Sequence, residues 1–415
     1  MQQRTIAFSP PDISEEEIRE VADTLRSGWI TTGPKTKQFE RDIADFCHTE
    51  RAVCLNSATA GMEMTLRLFG IGPGDEVITS AYTYTATASA ICHTGAAPVL
   101  VDVGRDSYEM DYEALERAVT PRTKAVVPVD IAGVMCDYDR VRRIVEEKKG
   151  MFVPGDNTYQ RVMGRILIMA DSAHGFGACR NGLMSGKMAD FTVFSFHAVK
   201  NLTTAEGGAV TWQELPGVDS EKIYREYMLL SLHGQSKDAL AKTKLGAWEY
   251  DIVAPAYKCN MTDIMASIGL VQLKRYPELL ERRKQVVERY ERGLAKINSK
   301  MKKYRLTSLV HDTDAAASSR HLFLMRIQGA GVEERNEIIE ALAERGVATN
   351  VHYKPLPLLS AYRNMGFDSK DYPNACAMYE NEITLPLHTK LSDEDVDYVL
   401  QCLEETLISL EGRRL

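Results

Sequence analysis

Three short polar segments, each directly after an apolar stretch, carry residue types that could do chemistry together. Lys200 lies in a small-residue loop behind Phe191–Phe194, and a lysine held in a desolvated pocket readily loses its proton and becomes a nucleophilic amine. Asp171 ends the apolar run Ile166–Ala170, where a carboxylate needs a partner because an unpaired buried charge is very costly. Ser57-Ala58-Thr59-Ala60-Gly61 opens an amphipathic helix, and the free N–H groups of a helix N-terminus suit an anion such as phosphate.

Each segment taken alone has an ordinary structural interpretation. Most lysines are solvated at the surface, a strand-end aspartate often forms a cap or an ion pair, and serine and threonine are common N-caps. Together, a phosphate cradle, a buried carboxylate and an apolar-flanked lysine are the set that pyridoxal phosphate requires. The lysine binds the cofactor covalently, the carboxylate keeps the pyridine nitrogen protonated, and the helix N-terminus holds the phosphate.

A strand–helix alternation from Ala52 to Trp212 must position these segments. It predicts a largely parallel sheet covered by helices on both faces, with ligands at the carboxyl ends of the strands. The predicted strands are Ala52–Leu55, Glu76–Thr79, Pro98–Asp102, Ala125–Val129, Ile166–Ala170, Phe191–Phe194 and Ala209–Trp212, and the predicted helices between them are Thr59–Phe69, Thr83–His93, Tyr112–Val119 and Tyr138–Glu147. The stretch Gly150–Arg165 is long for a connection and is interpreted as either a surface hairpin or a pocket rim.

The pattern changes near residue 277. One helix runs towards Tyr276-Pro277, a second, charged helix is predicted over Glu281–Ile297, and a last helix over Ser392–Leu410. We therefore predict a large cofactor-binding domain with an N-terminal helical segment over residues 1–276, and a smaller C-terminal α+β domain over residues 277–415.

The composition limits the class of protein. The 415 residues carry 50 basic and 58 acidic side chains, a net charge of −8 without a basic stripe, so we predict no nucleic-acid partner. The sequence has no apolar run of the roughly 18 residues that a membrane span needs and no apolar signal segment, so no membrane association is expected. The eight cysteines lack a Cys-x-x-Cys pair, which predicts reduced thiols in the cytoplasm and no metal site.

The order of the motifs resembles the DegT/StrS family of sugar aminotransferases, among the fold-type I pyridoxal-phosphate enzymes. The resemblance covers nearly the whole chain. Within the family, the motifs are most similar to those of the nucleotide-sugar C4 aminotransferases, such as those that make 4-amino-4-deoxy-arabinose. The motifs that carry it are Ser27-Gly28-Trp29-Ile30-Thr31-Thr32-Gly33-Pro34, Ser57–Gly61, Gly70–Ile78, Asp171-Ser172-Ala173-His174, Ser195-Phe196-His197 with Lys200-Asn201, Glu206-Gly207-Gly208, Met261-Thr262-Asp263, His352-Tyr353 and Leu385-Pro386-Leu387.

This resemblance implies a fold and a set of roles. The fold is α/β, with a mainly parallel seven-stranded sheet between helices in the large domain. Lys200 would bind the cofactor covalently and move the proton, Asp171 would pair with the pyridinium nitrogen, and His174 would lie against the phenolic oxygen. The phosphate and the ring would be held by Thr59, Ala60, Ser195 and the stacking side chain of Tyr84, and the substrate by Trp29, Thr31, His352 and Tyr353.

Family members complete the phosphate site from a second subunit, which implies a homodimer with its active sites at the subunit interface. The corresponding stretch reads Ala256-Tyr257-Lys258-Cys259-Asn260, so that Lys258 stands where asparagine is common and Asn260 where arginine is common. Either residue could reach the partner's phosphate.

The resemblance implies transamination from L-glutamate to a nucleotide-linked 4-keto-6-deoxy or pentose sugar, for the biosynthesis of cell-surface polysaccharide or glycan. Amination at C3 is the alternative reaction, and a non-catalytic binding or regulatory protein on the same fold is the alternative class. Gly70-x-Gly72-x-Gly74 could suggest a nicotinamide oxidoreductase, but it lies between a helix and a strand, the reverse of the order that a dinucleotide-binding fingerprint requires.

Overall fold

The computed structural model describes residues 4–236 and 249–413. Its strands, in chain order, are β1 (Ala52–Leu55), β2 (Glu76–Ser80), β3 (Ala97–Val101), β4 (Thr123–Val127), β5 (Leu167–Asp171), β6 (Cys179–Arg180), β7 (Leu183–Met184), β8 (Phe191–Ser195), β9 (Gly208–Trp212), β10 (Arg305–Ser308), β11 (Ala316–Ala317), β12 (Phe323–Gln328) and β13 (Glu382–Leu385). Its helices are α1 (Glu15–Ser27), α2 (Pro34–Cys47), α3 (Ala58–Leu68), α4 (Thr85–Thr94), α5 (Tyr112–Ala118), α6 (Tyr138–Glu147), α7 (Thr158–Met163), α8 (Ser220–Ser231), α9 (Asp263–Asn298), α10 (Val332–Glu344), α11 (Ser360–Asn364), α12 (Pro373–Glu380) and α13 (Asp393–Arg413).

A seven-stranded sheet in the order β1-β9-β8-β5-β4-β2-β3 forms the centre of the fold. The pairs from β8 to β3 are parallel, whereas β9 pairs antiparallel with both β1 and β8. Six strands therefore point the same way and one is reversed, which confirms the predicted mainly parallel sheet. The carboxyl ends of β1, β2, β4, β5 and β8 consequently meet at one edge.

The strand boundaries follow the apolar runs to within one or two residues. The largest shift is in β4, which was predicted to continue to Val129 but ends at Val127. Pro128 follows directly and has no N–H to give to a neighbouring strand, which interrupts the regular ladder, and an isolated parallel bridge between Val129 and Asp171 continues the pairing beyond it.

One helix replaces the two that were predicted around Pro277. The helix α9 continues without interruption from Asp263 to Asn298, with Pro277 inside it. A proline removes one i→i−4 hydrogen bond, but the flanking Tyr276 and Leu279 are both buried, so packing holds the helix together across that point. The predicted domain boundary at 276/277 falls inside this helix, and the division into two domains stays a prediction.

A second core lies in the C-terminal part of the chain. Strands β10, β12 and β13 form an antiparallel sheet, and its side chains pack with those of α10, α13 and the second half of α9. Ile6 also belongs to this core and forms a parallel bridge with Val347. The segment around Ile6 is thus held against this second core.

The stretch from Gly150 to Arg165 is neither a hairpin nor a pocket rim. It contains α7, and Asn157 and Gln160 donate hydrogen bonds from their side chains to the carbonyls of Leu68 and Phe69, at 3.0 and 2.7 Å. Both carbonyls lie at the C-terminal end of α3, which is far from the carboxyl ends of the strands. The stretch covers the opposite edge of the sheet.

None of the helices described over residues 4–236 and 249–413 combines the length and the apolar composition that crossing a lipid bilayer requires.

Candidate active site

A cavity of about 370 Å³ opens at the carboxyl edge of the central sheet. The turn after β1, the loops after β2 and β4, the ends of β5 and β8, and the segment around residue 352 all line it. The predicted site residues that it brings together are Thr59, Tyr84, Asp171, His174, Ser195, Lys200, His352 and Tyr353. Trp29, Thr31, Ala60, Lys258 and Asn260 do not line the cavity of their own chain.

The N-terminus of α3 forms one end of the cavity. Ser57 caps the helix by accepting a hydrogen bond from the amide of Ala60 at 3.1 Å, so that this amide is already used within the chain. The amides of Ala58 and Thr59 have no acceptor among the described residues, and free amides at a helix N-terminus favour an anion. A Cβ on Gly208 would lie 2.5 Å from the nitrogen of Ala58, so only glycine lets β9 pass beneath this helix end.

Asp171 lies at the end of β5, almost completely buried. Its Oδ2 accepts a hydrogen bond of 2.6 Å from the hydroxyl of Thr87, and its Oδ1 one of 3.2 Å from the amide of Ala173. Burial raises the pKa of this carboxyl, whereas the two hydrogen bonds and the nearby charge of Lys200 oppose the rise. Asp171 is therefore a buried acid with a charge partner, which is typical of a functional site.

Lys200 lines the cavity from the loop between β8 and β9. Burial lowers the pKa of its ammonium group to about 8, and the carboxylate of Asp171 opposes that shift. A lysine with a pKa near 8 is partly unprotonated at neutral pH, so its amine is available as a nucleophile.

The contacts of His174 fix its tautomer. The amide of Ala132 donates to Nδ1 at 3.1 Å, which requires that Nδ1 carries no hydrogen. The proton of the neutral ring is then on Nε2, which lies 3.1 Å from the hydroxyl oxygen of Tyr353. Burial, with smaller contributions from Lys200 and His352, keeps the pKa of His174 well below its usual value, so the ring stays neutral.

Aromatic rings line the outer side of the cavity. Tyr84 is exposed at the start of α4, and its ring lies 5.6 Å from that of Tyr353, centroid to centroid. Tyr84 is thus free to stack on a ring that enters the cavity. Ser195, at the end of β8, also lines the cavity.

The remaining predicted residues surround the loop before α2. Asp263 holds this loop through the amides of Gly33 and Thr36, at 2.8 and 2.9 Å, while Trp29 covers Gly33. The side-chain amide of Asn260 donates to the hydroxyl of Thr32 at 2.6 Å, and its oxygen accepts from the ammonium group of Lys258.

Asn260 is buried, with both ends of its amide occupied, whereas Lys258 and Thr31 are exposed. Their predicted roles in phosphate and substrate binding stay predictions.

Several residues at the site were missed from the sequence. Thr87 is one threonine among three in α4, and nothing in its spacing indicates contact with Asp171. Asp130, which also lines the cavity, accepts from the hydroxyls of Ser172 and Tyr138 at 2.6 and 2.9 Å, and burial raises its pKa to about 7. An aspartate at the end of the apolar run Ala125–Val129 was a signal of the same kind as Asp171.

The residues of the cavity fit pyridoxal phosphate. The free amides of α3 suit the phosphate, Asp171 suits the ring nitrogen, Lys200 supplies the amine, and Tyr84 is free for one face of the ring. The amides of Ala58 and Thr59 are unpaired N–H groups of a helix N-terminus, and both residues line the cavity, where such groups suit a bound anion.

Comparisons with known proteins agree with this site. The DegT/DnrJ/EryC1/StrS aminotransferase family model matches residues 11–404. The chain is 39% identical over 405 residues to the spore coat polysaccharide biosynthesis protein SpsC of Bacillus subtilis, and the match covers 96% of each protein.

Solved structures are similar over the whole fold. The putative sugar aminotransferase Spr1654 from Streptococcus pneumoniae, in its PMP-form, has 57% sequence identity and a TM-score of 0.93, with 98% of this chain and 100% of that chain covered. Its PLP-form has 56% identity and the same TM-score of 0.93, again with 98% and 100% covered. Helicobacter pylori PseC, an aminotransferase involved in the biosynthesis of pseudoaminic acid, has 27% identity, a TM-score of 0.84 and coverage of 98% and 100%.

These matches confirm the predicted fold-type I architecture and pyridoxal phosphate as the cofactor. Both the family model and a relative well above 30% identity extend over nearly all of the sequence. The chain therefore belongs to the DegT/DnrJ/EryC1/StrS aminotransferase family.

Proposed function

We propose that this protein transfers the amino group of L-glutamate to the 4-keto group of a nucleotide-linked deoxy or pentose sugar, as a step in the biosynthesis of a surface polysaccharide or glycan. The names of two relatives support a sugar as acceptor, since SpsC is named for spore coat polysaccharide and Spr1654 as a putative sugar aminotransferase. The observation that carries the proposal is the amine of Lys200, with its lowered pKa, in one cavity with Asp171 and the free amides of α3.

The role of Lys200 follows from its position and its pKa. Bound pyridoxal phosphate supplies an aldehyde that takes up the amino group and a ring that holds negative charge. With the cofactor bound, the amine of Lys200 would be the base in the cavity that takes the α-proton of the amino donor and delivers it to C4′ of the cofactor. Its pKa of about 8 lies near neutral pH, where a group accepts and donates a proton with similar ease.

Asp171 and His174 prepare the cavity for the ring. Asp171 would hold a proton on the ring nitrogen of the bound cofactor, and the hydrogen bond from Thr87 orients the carboxylate for this. The Nε2–H of His174 offers a hydrogen bond at the side of the cavity where Tyr353 lies. These groups are already held in place by protein contacts, so little reorganisation is needed during the reaction.

We also propose that the active form is a homodimer, in which each chain completes the other's phosphate site. Lys258 is the better candidate for this contact, because it is exposed and charged, whereas Asn260 is buried and hydrogen-bonded within its own chain. On this proposal, Lys258→Ala weakens cofactor binding without unfolding the protein, and Asn260→Ala acts mainly on the stability of the loop around Thr32.

The proposal is tested by absorbance spectroscopy of the cofactor-loaded protein. L-glutamate is expected to replace the absorbance of the lysine-bound cofactor with that of its amino form, and a nucleotide-linked keto-sugar is expected to reverse the change. Parallel reactions with 4-keto and 3-keto sugars on UDP, dTDP or GDP, read by mass spectrometry, separate C4 from C3 amination.

Two lysine variants provide the control. Lys200→Ala is expected to abolish both half-reactions, whereas Lys284→Ala, which replaces a half-buried lysine of α9 that does not line the cavity, is expected to keep them. Wild-type spectra that do not respond to L-glutamate would rule out this donor. A Lys200→Ala protein with near-native turnover would rule out the mechanism, and absence of any cofactor spectrum would favour a non-catalytic protein.

A further inference from the structure

Glu382 is a completely buried carboxyl group that the mechanism above does not use. It begins β13 and is 0% exposed. Its Oε1 accepts a hydrogen bond of 2.5 Å from the hydroxyl of Thr384, and its Oε2 accepts one of 2.9 Å from the backbone amide of His352. A buried carboxyl with so few donors is costly, so its place requires an explanation.

Thr384 connects this carboxyl to a ring of the active-site cavity. Its hydroxyl oxygen lies 2.9 Å from Nδ1 of His352. The ring of His352 is fixed on its other side by stacking on Phe8, with centroids 5.6 Å apart, and its backbone carbonyl accepts from the hydroxyl of Tyr82 at 2.8 Å. Because Nδ1 is used by Thr384, Nε2 is the ring nitrogen left for the cavity that Lys200 also lines.

Glu382, Thr384 and His352 form a hydrogen-bonded relay. The hydrogens available in this relay link the ionisation of Glu382 to the tautomer of His352. The hydroxyl of Thr384 has one hydrogen, and an ionised carboxylate can only accept. When Glu382 is ionised, Thr384 gives it that hydrogen and must accept from Nδ1–H, so Nε2 carries a lone pair. When Glu382 is protonated, it can donate to Thr384, which then donates to Nδ1, and the imidazole proton moves to Nε2.

We propose that Glu382 is a positioning residue that sets the tautomer of His352 through Thr384, and thereby makes Nε2 an acceptor for a hydroxyl hydrogen of the sugar when the carboxyl is ionised. The part that concerns the sugar rests on the proposed function. The part that concerns the tautomer depends only on the three side chains of the relay.

Charged and titratable groups face Glu382 from each neighbouring element. Arg335 of α10 donates to its backbone carbonyl at 3.3 Å, and Arg326 of β12 is its cross-strand partner but turns its guanidinium to Asp106 and Asn381. Tyr82 and Tyr108, whose rings are 5.2 Å apart, lie on the remaining side.

Burial has the largest effect on the pKa values of both Glu382 and His352. It raises the pKa of Glu382 to about 8, against the hydrogen bonds from Thr384 and His352 and the charge of Arg335. Burial also lowers the pKa of His352 to about 4, so that its ring is neutral while Glu382 titrates. The relay therefore switches between two neutral tautomers and not between a neutral and a charged ring.

The substitution Glu382→Gln is expected to fix His352 in one tautomer. The amide of His352 needs an acceptor, so the glutamine oxygen faces it, and the glutamine NH₂ group faces Thr384 and donates. Thr384 then donates to Nδ1, and the proton of His352 stays on Nε2 at every pH. Thr384→Ser keeps the relay, and Thr384→Val breaks it.

The first measurement is ¹⁵N NMR of histidine-labelled full-length protein without cofactor, with the signals of His352 assigned from their loss in His352→Gln. The wild type and Thr384→Ser are expected to change from the Nε2–H to the Nδ1–H tautomer as pH rises through about 8, the pKa of Glu382. Glu382→Gln and Thr384→Val are expected to show no such change. A tautomer of His352 that is the same in the wild type and in Glu382→Gln at every pH overturns the proposal.

The second measurement is kcat/KM for the sugar half-reaction as a function of pH. Glu382→Gln is expected to lose about tenfold at pH 9, the amount that one misdirected hydrogen bond accounts for, and to approach the wild type at pH 7. Glu40→Gln is the control, because Glu40 is a buried carboxyl in α2 whose pKa is also raised by burial but which does not line the cavity. An equal loss for Glu382→Gln at both pH values overturns the part that concerns the sugar. A wild type inactive with every keto-sugar contradicts the proposed function, while the NMR result still decides the tautomer.

Discussion

Replacing Thr87 by valine tests whether the carboxylate of Asp171 is tuned by its hydrogen bond. The valine has nearly the same shape but cannot donate to Oδ2, so one of the two hydrogen bonds on a buried carboxylate is lost. The hydroxyl of Thr83, 2.9 Å from that of Thr87, gives its hydrogen to Thr87 in the native chain and loses that acceptor. The perturbation is therefore electrostatic and almost without a change of volume.

The magnitude follows from the charge on the acceptor. A hydrogen bond to a charged group contributes about 1.5–3 kcal/mol. Because this hydrogen bond favours the ionised carboxylate, its loss is expected to raise further the pKa of Asp171, which burial already raises. Asp171 must be ionised to hold a proton on the ring nitrogen of the cofactor, so we expect the rate of the glutamate half-reaction to fall about tenfold at neutral pH.

The assay is a stopped-flow single turnover of the cofactor-loaded protein with L-glutamate, measured from pH 6 to 9. Thr87→Val is expected to move the acidic limb of the pH–rate profile upward, and Thr87→Ser, which keeps the hydroxyl, is expected to follow the wild type. A Thr87→Val protein that melts normally and keeps both the rate and the profile would refute the reasoning.

Three further predictions concern the phosphate cradle, the lysine and the far edge of the sheet. Gly208→Ala places a Cβ 2.5 Å from the nitrogen of Ala58, so cofactor affinity is expected to fall at least tenfold in a fluorescence titration, whereas Gly150→Ala, with open space around it, keeps the native affinity. The rate at which the apoprotein binds pyridoxal phosphate covalently is expected to rise with pH around a midpoint near 8, because only the unprotonated amine of Lys200 reacts, and a flat profile would contradict the lowered pKa. Tyr159→Ala leaves a void beside Phe69 and is expected to lower the free energy of unfolding by about 3 kcal/mol in denaturant titrations. Neither half-reaction is expected to change, and an altered rate would contradict the placement of this segment away from the active-site cavity.

The sequence predicts best what depends on local pattern. Apolar runs ended by a polar residue located β5 and β8, and their parallel direction was enough to bring Asp171 and Ser195 to the same edge. The contact of Thr87 with Asp171 could not be predicted, because α4 follows β2, and β2 is separated from β5 by β4 in the sheet order. That distance along the sheet is a property of the strand order and leaves no trace in the spacing of residues.

The same reason explains why Glu382 was missed. Its neighbours in the chain are ordinary, and it becomes a buried acid only because β13 pairs with β12 on one side and the His352 segment closes over it. The continuous helix across Pro277 was missed for a different reason, since local rules treat proline as a helix end, whereas buried neighbours on both sides outweigh one lost hydrogen bond.

Burial is the common cause behind the chemistry of the cavity. It lowers the pKa of Lys200 and of His174 and raises that of Asp171, because in each case it disfavours the charged form. The contacts that differ between these groups then decide which form each keeps: Thr87 and Ala173 donate to Asp171, while Ala132 donates to His174 and holds it neutral. The cavity thus supplies one general electrostatic effect, and individual hydrogen bonds assign the acid, base and donor roles within it. A substitution that admits water is therefore expected to shift the pKa values of all three groups together. A substitution such as Thr87→Val is expected to shift only that of Asp171, and it is therefore the sharper test of mechanism.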